Sequence, residues 1–250
     1  MGAPQADPAV PAPAPDPGPD PAPGPDLTHI SHWVFDLDNT LYPSNAPVMS
    51  QVDKRMTQYV ARLLGLPETE ARAVQKHYWR TYGTTLSGLI AHHDIDRSDF
   101  LDFVHDIDAS VLAPDTVLAG RIAALPGTRL VYTNGSRRHA ENLLGRLGLT
   151  HLFDDIFDVE AAGFTPKPHR EAFNRFTARY TLPVPQSVFF EDSVRNLKTA
   201  HEMGFTTVLV RAKDGARDEE SAGPGEHPEH VHYAVDCLAT FLGEVRVKVG

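Results

Sequence analysis

His32-Trp33-Val34-Phe35-Asp36-Leu37-Asp38-Asn39-Thr40-Leu41-Tyr42 is the stretch that decides how this chain folds. Trp33-Val34-Phe35 has the length and composition of a buried strand. It ends at two carboxylates one residue apart, Asp36 and Asp38. Side chains alternate along a strand, so these two leave its end in roughly the same direction. Like charges side by side repel, and burying them unpaired is costly, so a divalent cation, a shared proton or water must compensate. A solvated Asp-x-Asp-Asn turn is the competing reading. Ligands in open α/β sheets sit at the carboxyl ends of strands, which favours a metal-dependent site.

Outward from this strand the rhythm changes twice. Residues 43–114 read as helices only, with Val48, Val52, Met56, Tyr59, Val60, Leu63 and Leu64 at three- and four-residue steps and Gly65 as a stop. Asn45 before Ala46-Pro47 marks the expected start of the first of these helices. About seventy residues of helix without a strand make a small bundle. From Asp115 helix and strand alternate. Strands are expected at 129–132, 156–159, 187–190, 207–210 and 233–235, with helices at 116–125, 138–147, 168–180, 194–203 and near 237–242. Such alternation builds a Rossmann-like parallel sheet with helices on both faces. The fold class is therefore α/β: a core of 27–42 and 115–250, with an all-α cap, 43–114, inserted after the first strand.

Composition narrows the function. The chain has 250 residues, 41% of them hydrophobic, enough for a core, and no long uncharged apolar segment that would span a membrane. A single cysteine, Cys237, excludes an internal disulfide and fits a cytoplasmic setting; its apolar neighbourhood suggests a packed side chain. A net charge of −10 disfavours a nucleic-acid surface. Residues 1–26, nearly all Pro, Ala, Asp and Gly, have nothing to bury and read as a disordered tail. His227, His230 and His232 lack partners at a metal-site spacing and read as solvated loop. His92-His93 sit where positive charge favours a helix C-terminus.

The residues just beyond each apolar strand carry the chemistry. Thr133-Asn134-Gly135-Ser136 comes after Tyr132, Glu191-Asp192-Ser193 after Phe190, and Thr165-Pro166-Lys167 precedes the helix at 168. In a parallel sheet these ends share one edge, so Asp36, Asp38, Thr133, Lys167 and Asp192 are expected to meet. Together they offer a nucleophile, an acid/base, a hydroxyl donor, an ammonium and a metal ligand. Oxygen donors of this kind suit Mg²⁺. Each motif alone reads as a turn, a cap or a solvated charge; their order is what counts.

That order, Asp-x-Asp-x-Thr, Thr-Asn-Gly, Lys, Glu-Asp, resembles the haloacid dehalogenase superfamily over nearly the whole chain after the tail. Thr133-Asn134-Gly135-Ser136 with His139-Ala140, and Tyr82-Gly83-Thr84-Thr85-Leu86-x-Gly88-Leu89, are similar to its pyrimidine 5′-nucleotidase branch. The resemblance implies hydrolysis of a small phosphomonoester through an aspartyl-phosphate on Asp36, with Asp38 as acid and then base. It implies Mg²⁺ held by Asp36, the Asp38 carbonyl and Asp192, with Glu191 as an outer partner. Lys167, Thr133 and the backbone at Asn134 and Gly135 would bind phosphoryl oxygens.

Substrate choice would lie in the cap, where Asn45, Arg80, Tyr82, Thr84 and Thr85 are the polar groups expected nearest the cleft, Tyr82 as a stacking platform. Nucleoside monophosphates are the first expectation, with sugar phosphates, pyridoxal phosphate or a phosphomutase reaction as alternatives on the same fold. A receiver-like phospho-aspartate module is disfavoured, since its acidic pair precedes the phosphorylated Asp and it carries no cap. The expected assembly is a monomer or homodimer.

Overall fold

A computed structural model of the protein describes residues 24–212 and 228–248. Six parallel strands form one sheet in the order β3-β2-β1-β4-β5-β6. They are β1 (His32–Phe35), β2 (Thr128–Tyr132), β3 (Asp155–Phe157), β4 (Ser187–Glu191), β5 (Thr206–Val210) and β6 (Tyr233–Val235). β1 is central, with Val34 opposite Leu130 on one side and Phe189 on the other. The chain moves outward from β1 first through β2 and β3, then returns to begin β4. The strand order therefore reverses between β1 and β4, where open α/β sheets form their ligand crevice.

Alternation buries both faces. Trp33 and Phe35 join Val131, Val188 and Phe190 in one layer, against α5 (Thr116–Ala123), α6 (Arg137–Leu147) and α9 (Leu238–Glu244). Val34 faces the other way, with Leu130, Tyr132 and Phe189, against α7 (Arg170–Arg179) and α8 (Val194–Met203). Phe35 stacks on Phe190 at 4.6 Å, locking the two strands that bound the crevice.

Between β1 and α5 lie α1 (Met49–Leu64), α2 (Glu68–Tyr82), α3 (Thr85–His92) and α4 (Arg97–Val104). They share a third apolar cluster of Tyr59, Val60, Tyr78, Leu89, Phe100 and Val104, which Val159 joins from the segment after β3. Gly88 lets α3 press onto α2: a Cβ there would lie 2.4 Å from the Tyr78 Cβ. Thr84 and Asp96 accept backbone N–H bonds that start α3 and α4.

The structure corrects several boundaries. α1 starts at Met49, beyond the Asn45 expected to open it, because 43–48 form turns. β3 ends at Phe157; Asp158 instead accepts from the Arg137 and Ala161 backbone N–H groups and turns the chain. α7 starts at Arg170, two residues past Pro168. The core reaches back past residue 27: Pro25 accepts from Arg246 N–H, and Asp26 pairs with the Arg246 guanidinium at 2.9 Å. The remainder of the expected tail, 1–23, lies outside the described residues, as do 213–227 and hence His227. His230 and His232 are tied rather than solvated, the first bonded to the Val194 carbonyl and the second to Thr207. Cys237 is exposed, just ahead of α9, rather than packed. Among the described residues, no helix is long and apolar enough to cross a membrane.

Candidate active site

β1 hands its ladder on for one residue, Asp36 N–H donating to the Phe190 carbonyl at 2.9 Å. The chain then curls, with Asn39 in the left-handed region (φ 61°) and Leu41 N–H returning to the Leu37 carbonyl. Asparagine tolerates that conformation better than most residues. The two acids face different partners. Asp36 turns down into the crevice and is buried, whereas Asp38 turns toward the helical insert.

Lys167 reaches under Asp36. Its Nζ donates to Asp36 Oδ1 at 2.6 Å, to Glu191 Oε2 at 2.8 Å and to the Tyr132 carbonyl at 2.8 Å, using all three protons. The Tyr132 and Phe189 rings lie within about 5 Å of the ammonium. Asn134 fixes this lysine by its backbone, accepting from Lys167 N–H at 2.8 Å and donating to its carbonyl at 3.1 Å. Burial disfavours the charged amine, yet the Asp36 and Glu191 carboxylates outweigh it and hold the Lys167 pKa above its ordinary value.

The acids outnumber this cation. Ligand oxygens of Asp36, Glu191 and Asp192 lie within 4.8 Å of one another. Burial first, then the Glu191 charge, raises the pKa of both Asp36 and Asp192. Two buried carboxylates and a half-buried one around one ammonium leave excess negative charge, and an all-oxygen donor set is what a hard divalent cation requires. The residues present fit Mg²⁺. Glu191 accepts from Lys167 on one oxygen and from Ser193 N–H on the other, and Asp36 from Lys167 on Oδ1 and from the Thr40 hydroxyl on Oδ2. Asn39 donates to Asp192 at 3.2 Å and bridges the β1 and β4 ends.

Asp38 stands in a separate setting. One oxygen accepts from the Tyr42 hydroxyl at 2.6 Å and from His139 Nε2 at 3.1 Å. Burial pushes its pKa up, but His139 and Tyr42 together bring it below the ordinary value. Behind His139 lies His105, its ring stacked at 4.2 Å and its pKa lowered to about 3 by burial and by the neighbouring imidazole.

Two chambers meet at Asp38. The first, about 460 Å³, holds Asp36, Lys167, Glu191 and Asp192, with Arg80, Thr84 and Arg195 also on its walls. The second, about 540 Å³, runs under the insert between Met49, Met56, Phe100, Val104, His105 and His139. Asn39, Met49, Trp79, Thr84 and Asn134 border both.

Of the residues expected from sequence, Asp36, Asp38, Asn134, Lys167, Glu191, Asp192, Arg80 and Thr84 line the first chamber, and Gly135 and Thr85 the second. Thr133 is buried and borders neither chamber, its Oγ1 accepting from Gly135 N–H. Asn45 is exposed on the turn before α1 and borders neither chamber. Tyr82 also borders neither; its hydroxyl bonds His92. His93 likewise bonds the Tyr78 hydroxyl. Sequence reasoning gave no role to Asn39, Tyr42, Trp79, His105 or His139. Tyr42, four residues past Asp38, and Asn39, next to it, have a local signal, and His139 appears in sequence only as part of a motif.

A parallel sheet whose switch point gathers three acids and a lysine beneath a helical insert defines a class of α/β hydrolases. The chain belongs to the haloacid dehalogenase-like hydrolase family, whose model matches residues 30–204. It is 26% identical over 220 residues to "Phosphate metabolism protein 8" of Saccharomyces cerevisiae, covering 80% of this chain and 68% of that one. It is 33% identical over 109 residues to an "Enolase-phosphatase E1" of Gluconobacter oxydans, covering 42% of this chain and 47% of that one. Among solved structures, a HAD phosphatase from Thermococcus onnurineus shares the fold with a TM-score of 0.57 at 18% identity, over 87% of this chain and 100% of that one. The HAD-hydrolase YfnB of Bacillus subtilis, bound to magnesium, shares it with a TM-score of 0.51 at 17% identity, over 82% and 94%.

Proposed function

We propose that this hydrolase is a Mg²⁺-dependent phosphomonoesterase working through an aspartyl-phosphate on Asp36. The observation that carries the reading is the separation of the two acids: Asp36 engages Lys167 at 2.6 Å, Asp38 engages Tyr42 and His139. Pairs of carboxylates in contrasting environments divide nucleophile and acid/base work. The phosphatase names of the relatives support the same reaction class.

Asp36 uses a carboxylate oxygen to attack phosphorus while Lys167 holds that carboxylate in place and offers positive charge to the phosphoryl oxygens. The bond to the leaving oxygen breaks, and Asp38 gives that oxygen a proton. Asp38 acquires the proton as the anionic phosphoryl group enters, since a like charge nearby raises a carboxyl pKa. In the second half Asp38 takes a proton from water, whose oxygen attacks phosphorus and frees Asp36 and inorganic phosphate. The backbone at Asn134 meets the remaining oxygens, with Gly135 N–H held behind it by Thr133 Oγ1. Asp36, the Asp38 carbonyl and Asp192 would hold Mg²⁺, with Glu191 behind them; when bound, Mg²⁺ offsets phosphate charge so that an anionic nucleophile can approach.

For the leaving group we favour a nucleoside. The second chamber adjoins Asp38, and Trp79, 43% exposed, stands between the chambers as a stacking surface in place of Tyr82. Arg80 and Thr84 remain the cap residues positioned to contact it. A phosphate-release screen with Mg²⁺ across nucleoside monophosphates, sugar phosphates and pyridoxal phosphate tests this. Preference for UMP and CMP supports the nucleotide reading, preference for sugar phosphates overturns it, and no release from any of them overturns the phosphatase reading.

A further inference from the structure

His139 and His105 form a connection between the helical insert and Asp38 that the proposed reaction leaves unused. His139 lies on α6 of the sheet domain and is 2% exposed. Its Nε2 sits 3.1 Å from Asp38 Oδ1, and its Nδ1 is buried without a hydrogen-bond partner among the described residues. A carboxylate can only accept, so the ring's proton belongs on Nε2. The ring thus presents one donor in one direction.

What keeps it in that orientation comes from the insert. His105 sits just past α4, and its ring lies on that of His139 at 4.2 Å and 19°. His105 Nδ1 bonds Ser136 Oγ at 3.0 Å, the same oxygen that accepts from His139 N–H at 3.3 Å to start α6. One serine therefore holds the His105 ring by its Nδ1 and the His139 backbone by its N–H, which fixes where the two residues meet. Tyr42 completes the grip on the same Asp38 oxygen at 2.6 Å, leaving Oδ2 for the reacting groups.

We infer that His139 is a positioning residue that aims the Asp38 carboxylate at the leaving oxygen, and that His105 makes this aim depend on the insert being seated. The inference rests on Asp38 serving as the acid of the proposed reaction. It predicts that proton delivery is efficient only with the insert packed on the sheet domain, so that the phosphoryl group is cleaved once the chamber has closed over the leaving group.

The test uses two substrates of nearly equal size, p-nitrophenyl phosphate and phenyl phosphate, with the full-length Mg²⁺-supplemented enzyme. The first has a leaving group that departs without a proton; the second needs one. The readout is the ratio of their kcat/KM values, which a general loss of folded enzyme does not move. His139→Phe, which keeps the stacking but not the donor, is expected to widen the ratio about tenfold. His139→Gln, whose amide nitrogen reaches the Nε2 position, is expected to bring it back to within about threefold of the parent. If the Phe variant does not fold, His139→Asn, too short to reach Asp38, takes its place. His105→Ala is expected to widen the ratio in the same direction, and His105→Phe, which restores a ring face, to reverse most of that.

Equal losses on both substrates in the donor-less His139 variants would overturn the role of His139. An unchanged ratio in His105→Ala would overturn the link to the insert. Asp38→Asn separates the levels: if it too leaves the ratio unchanged, the acid assignment itself fails, and not merely its positioning.

Discussion

Asp36 and Asp38 are two residues apart in sequence yet give their carboxylates to opposite partners, Asp36 to the Lys167 ammonium and Asp38 to the Tyr42 hydroxyl and the His139 ring. The left-handed turn at Asn39 curls the chain immediately after Asp38 and brings the Tyr42 hydroxyl back to that carboxylate. Charge then tracks position: the acids at the crevice floor share a lysine and an excess of negative charge, while Asp38 faces donors only.

Lys167 is the cation that makes the floor stable. Lys167→Met leaves Asp36 and Glu191 buried without their common partner, and breaking such a pair costs about 3 kcal/mol. Urea unfolding in EDTA should register that loss, and phosphate release should fall by at least about 100-fold. A variant as stable as the parent would mean the acids are compensated by something else.

The excess charge predicts a stabilising cation. Mg²⁺ added to EDTA-treated protein should raise the unfolding midpoint by roughly 5 °C at saturation, since a ligand that binds only the folded state adds to its stability. Asp192→Asn should remove most of that increase. A midpoint indifferent to Mg²⁺ in the parent protein would speak against a metal at this cluster.

How far the sequence alone reveals this site depends on the kind of signal. The acids and amide at the ends of β1, β2 and β4 are legible because each interrupts an apolar run, and parallel order forces those ends onto one edge, whereas Lys167 shows only as a cation between prolines ahead of α7. Contacts between distant segments are not. His139 and Asp38 are separated by 101 positions, and no periodicity marks the pairing. Tyr82 failed as a stacking candidate because a helical residue's outward direction depends on the final turn; the structure turns it onto His92 and leaves Trp79 at the chamber. Asn45 failed because the turns at 43–48 delay α1 to Met49.

The insert's packing is open to a simple check. Gly88→Ala places a methyl group 2.4 Å from the Tyr78 Cβ, an overlap that α2 and α3 relieve only by moving apart. The expected loss is about 2 kcal/mol, seen as a lower unfolding midpoint. A neutral result would show that the two helices are looser than their contact implies.

Asp155 offers a pH-dependent test away from the site. Burial raises its pKa, but bonds from Arg137, Tyr180 and the Ile156 N–H outweigh that and bring it down to about 2. A folded-state pKa below the unfolded one adds stability above the unfolded value of roughly 4, and the gain disappears as pH falls toward 2. Asp155→Asn should therefore destabilise by about 1 kcal/mol at pH 7, allowing for solvent screening, and progressively less below pH 4. A penalty that stays constant down to pH 2.5 would contradict the charge-based origin.

The covalent role of Asp36 is tested most directly by trapping. Asp38→Asn enzyme, given substrate and Mg²⁺ and quenched in acid within one turnover, should carry one phosphoryl group, mapped by peptide mass spectrometry to Asp36. The double variant Asp36→Asn, Asp38→Asn should carry none. Product released in the burst from parent enzyme with no phosphoryl group on the protein, or a phosphoryl group on any other side chain, would contradict the account.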